Sequence, residues 1–160
     1  MTETPNHSHE EARISPSLLA FLLCQDIRMN PDGTHTVEQV LDTLSVAGLP
    51  TVESLAQAGA ALAPLTVSVF TFFGHGVGHF NSYLEIESQE EGSVTRTPEM
   101  DFWLSSQQRR HAIITRAELP VQADVFTFRL FLGGERVSEQ RLRVDVTAGQ
   151  VPNSSELPQA

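Results

Sequence analysis

His75 and His79 bracket the glycine-rich run Gly74-His75-Gly76-Val77-Gly78, and this pair is the most inviting chemistry in the chain. Imidazole nitrogens suit zinc, copper or nickel, but such a site needs at least a third ligand. His7 and His9, near the amino terminus, are the donors available to supply it. A four-residue histidine spacing gathers both rings on one face only in a helix, and glycines at 74, 76 and 78 oppose one. The residues therefore predict a turn with two solvated histidines, and no metal, cofactor or catalytic residue is assigned.

Other reactive patterns are as thin. Cys24, the single cysteine, excludes an internal disulfide and a cysteine-rich zinc site, and it sits in the apolar run Leu18 to Cys24, as a buried structural thiol does. No Gly-x-Ser-x-Gly motif marks a nucleophile. Glu85 and Glu87 share one parity of a polar strand face, without the apolar setting that would raise a carboxyl pKa. Arg109-Arg110-His111 is the one basic cluster, expected to open a strand or to pair with acids. All ten bases are arginine, so lysine Schiff bases and phosphate-loop lysines are excluded. Twenty acids leave a net charge of −10, which opposes binding to nucleic acid or to anionic membrane.

The elements that would carry these residues are strands. The 160 residues suit one domain, and a mean hydropathy of −0.13 describes a globular chain. Leu18 to Cys24 is apolar on both parities, as in a central strand covered on each side. Asn30-Pro31-Asp32-Gly33 reverses the chain. Val37, Val40, Leu41 and Leu44 fit either an irregular strand or a helical face. Thr51 starts a short helix near residues 51–59. Leu65 to Phe73 and Phe80 to Glu87 then predict a hairpin about the glycine loop. Phe70, Phe72 and Phe73 put aromatic rings on both faces of the first of these strands, expected as core rather than interface. Phe126, Phe128, Leu130 and Leu132 share one face, Gly133-Gly134 forms a two-residue loop, and Leu142, Val144 and Val146 return.

The sum is an all-β chain, an antiparallel two-sheet β-sandwich of about seven or eight strands spanning residues 17–146, between disordered tails at 1–16 and 147–160.

Several segments together resemble a family. They are Leu18 to Cys24 with Asp26 close behind, Asp42 ahead of Leu49-Pro50, Gly76-Val77-Gly78-His79, and Phe126 to Glu135 leading into Leu142-Arg143-Val144. Across residues 17 to 146 the chain is similar to an uncharacterised family of small bacterial β-sandwich proteins. Gln25 stands where that pattern has an acid, with Asp26 one position later. The resemblance implies the sandwich fold and brings no activity with it.

The expected function is a non-enzymatic interaction or assembly module of the cytoplasm, with a protein partner or a second copy of itself. The alternative is a small-ligand or metal-binding sandwich using the Gly74 to His79 loop. The amino terminus lacks the basic start and long apolar stretch of a secretory signal, and no apolar run reaches membrane-spanning length.

Overall fold

The computed structural model describes residues 12–49 and 61–148. The expected helix near 51–59 lies outside those residues, as do 1–11 and 149–160 of the two expected tails. Ten strands follow in order: β1 (Ser17–Met29), β2 (His35–Val40), β3 (Thr43–Leu49), β4 (Leu65–Gly74), β5 (Gly78–Ser88), β6 (Val94–Arg96), β7 (Met100–Leu104), β8 (Arg110–Leu119), β9 (Asp124–Leu132) and β10 (Glu135–Ala148). They form two sheets, a four-stranded one ordered β2-β1-β4-β8 and a six-stranded one ordered β3-β10-β9-β5-β6, with β7 also paired to β5. The expected two-sheet sandwich is thus the observed fold.

Four details correct the sequence reading. Among the described residues the strands number ten rather than seven or eight. One pair, β3 with β10, is parallel. β4 and β5 are not a hairpin: each lies in a different sheet, and the glycine loop carries the chain across the sandwich. The ends reach further than 17–146, since Ile14 bridges Val77 and β10 runs to Ala148.

Alternation explains the core. Phe21 and Leu23 of β1, Val67, Val69 and Phe73 of β4, and Ile113, Ala117 and Leu119 of β8 point inward from the smaller sheet. Phe80, Leu84, Ile86, Phe126, Phe128, Leu130, Leu142 and Val144 meet them from the larger. Gly133 and Gly134 both take positive φ, at 58° and 86°, as the tight loop between β9 and β10 requires. The stretch from Val37 to Val46 is neither one strand nor a helix. It breaks at Leu41 and Asp42 so that β2 stays in the small sheet and β3 joins the large one.

The far half of the β1–β2 hairpin does not continue in the plane of its sheet. His35 pairs with Met29, yet its ring centroid lies 5.5 Å from that of Phe70, whose partner in β1 is Leu22. Extended chain from Leu22 to Met29 would separate those positions by roughly 23 Å. The hairpin therefore curls back over the outer face of the small sheet. Its bend sits where pairing passes from Cys24↔Val40 to Asp26↔Glu38, with Gln39 at φ 50°. This arm covers Phe70, which is buried although it points away from the sandwich core.

Candidate functional site

The crossover loop keeps its two histidines apart. His75 adopts φ 61° and its N–H donates to the Arg109 carbonyl at 3.1 Å, which ties it to the small sheet. His79 sits on the outer face of the large sheet, opposite Trp103, with Nε2 3.9 Å from an Asp101 carboxylate oxygen. Among the described residues no group of three or more His, Cys, Asp or Glu side chains gathers as a metal would need. His7 and His9 lie outside those residues.

The loop's glycines serve packing instead. A Cβ on Gly76 would come within 2.9 Å of Pro16 Cα and Cβ, and the adjacent Val77 exchanges backbone hydrogen bonds with Ile14 at 2.9 Å. Gly76→Ala is accordingly expected to cost about 1–3 kcal/mol and to loosen the Ile14 contact. Urea titration with hydrogen exchange at Val77 measures both, and a variant as stable as the wild type would contradict the packing.

The remaining candidates take structural places. Cys24 is fully buried on the outer face of the small sheet, Sγ donating to the Ser68 carbonyl at 3.3 Å, and burial pushes its thiol pKa up. Glu87 accepts a hydrogen bond from Arg129, which also bonds Glu139 at 3.2 Å, so that polar face is an ion-pair lattice. His111 turns inward, stacked on Phe102 at 5.1 Å, and burial holds its pKa below the ordinary imidazole value. Asp124 was not legible as a special residue. Its buried carboxylate accepts from Ser88 Oγ at 2.5 Å, Glu90 N at 3.1 Å, Val125 N at 2.6 Å and Gln122 Nε2 at 3.3 Å. A lone Asp opening a strand after Pro120-Val121-Gln122-Ala123 was the only available signal.

Concave space is shallow. One cleft, about 480 Å³, lies under the curled arm, between Gly33, Thr34 and His35 above and Phe70, Phe72, Arg110 and Ala112 below. A second of about 480 Å³ runs along the open side of the sandwich between Arg116 to Glu118 of β8 and Thr95 to Pro98. Thr34, His35 and Arg110 are the polar side chains at the first, and the Thr34 hydroxyl donates to Asp32 Oδ1 at 2.6 Å.

The feature with the clearest interaction chemistry is the edge of β8. It ends the small sheet, and at ten residues it is longer than β2, β3, β6 and β7, the other strands at sheet margins. The His75 N–H to Arg109 carbonyl bond, read with the β4–β8 register, turns the backbone groups of odd residues toward β4. Those of Arg110, Ala112, Ile114, Arg116 and Glu118 therefore point outward. Proline and bulges, two of the guards of an edge, are absent from β8, whose charges sit at Arg110, Arg116 and Glu118, and Ile114 at its centre is 44% exposed.

Charge marks the same strand. Arg28, Arg96, Arg129, Arg136, Arg141 and Arg143 each have a carboxylate within 4.0 Å. Arg13, Arg109, Arg110 and Arg116 have no such counterion among the described residues, so both arginines of β8 are unpaired, as is its Glu118, in a chain of net charge −10.

No family model matches the chain, and no curated protein does. Among solved structures, the chain is similar to a Pseudomonas fluorescens alkylpurine DNA glycosylase, AlkC, bound to DNA containing an abasic site analog. The two share 6% identity at a TM-score of 0.41, over 78% of this chain and 30% of that one. This chain thus spans under a third of the glycosylase, and so loose an overlap carries no argument about activity. No helix among the described residues is long and apolar enough to cross a membrane.

Proposed function

We propose that this chain is a non-enzymatic interaction module that joins another polypeptide by strand pairing along β8. The observation that carries the reading is the long open edge whose outward backbone groups and exposed Ile114 are ready to extend the sheet. Main-chain hydrogen bonds would supply affinity, and side chains at alternate positions would supply selectivity. The −10 charge argues for a protein partner rather than nucleic acid or anionic lipid. A cytoplasmic setting belongs to the same proposal, supported by a single thiol buried as a structural group.

Site-specific photocrosslinking in cells tests this. A photoreactive phenylalanine analogue placed at Ile114 is expected to give a discrete adduct. The same probe at Phe131, on the outer face of the large sheet, is expected to give none. Absence of an adduct at 114, or equal adducts at both positions, would remove the proposal.

A further inference from the structure

We infer that the strand received by β8 is β8 of a second copy of this chain, antiparallel and centred on Ile114. The inference rests on the edge-pairing reading above and adds its partner and register.

Backbone geometry limits the registers first. Only even-numbered residues of β8 turn their N–H and C=O groups outward, so an antiparallel two-fold pairing must set even residues against even residues. Side chains then choose among the registers that remain. Centring the axis on Ile114 places the two isoleucine side chains opposite each other, on the face that also carries Phe70 and Phe72. The same register sets Arg110 against Glu118 of the second copy, and by symmetry Glu118 against Arg110. Both are exposed and lack counterions within their own chain among the described residues.

Nearby registers lose this match. Moving the axis to Ile113 sets Arg110 against Arg116, moving it to Thr115 sets Ile114 against Arg116 and leaves Glu118 opposite Ala112, and moving it to Arg116 sets that residue against its own copy. Like charges directly opposite each other destabilise a strand pair. A ten-residue edge with one isoleucine at its centre and opposite charges four positions to either side is complementary to itself. Two-fold pairing of identical edges also closes the assembly, because each copy has one such strand and both become internal.

Sedimentation velocity on the purified full chain, across a concentration series, tests the inference. The wild type is expected to run at twice the 17.6 kDa chain mass. Arg110→Glu and Glu118→Arg should each raise the dimer dissociation constant roughly tenfold or more, since two attractive pairs become two repulsive ones. The double exchange, Arg110→Glu with Glu118→Arg, should restore it. Ile114→Lys should give monomer, and because the residue is exposed its folding is expected to be kept, as checked by circular dichroism. A wild type that stays monomeric, a dimer indifferent to Glu118→Arg, or a double exchange that fails to rescue would each overturn the second-copy assignment. Monomer together with a crosslink from position 114 to a different protein would overturn this inference alone. Loss of that crosslink altogether would remove the edge reading as well.

Discussion

Phe73→Ala is expected to unfold at markedly lower denaturant, with a loss of about 3–5 kcal/mol. Phe73 is fully buried on the inner face of β4 and stacks on Phe102 at 5.0 Å with a 14° tilt between rings. Phe102 in turn touches Phe80 at 5.7 Å and His111 at 5.1 Å. This aromatic column joins the two sheets where β7 hands the chain to β8. Truncation leaves a void lined by rigid rings that cannot collapse into it, so both transfer and cavity costs apply. Against a total stability of roughly 5–15 kcal/mol, that loss puts the variant near the limit of folding. The contrast is Phe131→Ala, whose half-exposed ring stacks on Tyr83 at 4.8 Å outside the core and should cost only about 1 kcal/mol. Guanidinium titration of both variants checks the order, and equal losses would mean that the sheets do not pack as described.

Asp124→Ala is expected to cost roughly 2–4 kcal/mol, because hydrogen bonds to a charged acceptor are lost and the Ser88 hydroxyl and the turn amides lose their acceptor. The carboxylate pins the β5–β6 turn to the start of β9. Burial alone would raise its pKa, but the bonds from Ser88, the Glu90 and Val125 amides and Gln122 outweigh burial and hold it below the ordinary aspartate value. The sign follows directly. The unfolded chain takes up this proton at a higher pH than the folded one does. The stabilisation is complete above the unfolded pKa and drains away as pH falls from there through the lower folded value. Asp124→Asn should flatten that part of the acid-stability curve, while the wild type loses stability below about pH 4. Denaturant midpoints measured from pH 7 to pH 2 would show it, and parallel curves for the two proteins would refute the role.

Sheets with one covered face announce themselves, and β5, β9 and β10 were legible for that reason. Their inward positions, Phe80 to Ile86, Phe126 to Leu130 and Leu142 with Val144, alternate cleanly with polar neighbours. The small sheet was harder. Leu22 and Phe70 point outward yet are covered, because the curled β1–β2 arm supplies a third layer that alternation does not encode. Pairing partners were less legible still. A glycine-rich loop between two alternating strands reads as a hairpin, and nothing local distinguishes it from a crossover such as that of Gly74 to Gly78. Of the candidate site, Arg109-Arg110-His111 was seen as the opening of a strand. That this strand ends its sheet, with Arg110 and Glu118 lacking counterions, depends on contacts from far along the chain.

The parallel pairing of β3 with β10 sets a timetable for synthesis. Thr43 meets Arg143, about a hundred residues later, and Val46 meets Val146. While the chain is being made, the early strand has no neighbour in its sheet until the last one has left the ribosome. Closing so long a loop is slow, and the waiting segment is open to chaperones and to misassociation. Completion of the larger sheet thus waits on the synthesis of β10, and truncation before β10 would leave β3 as an orphan.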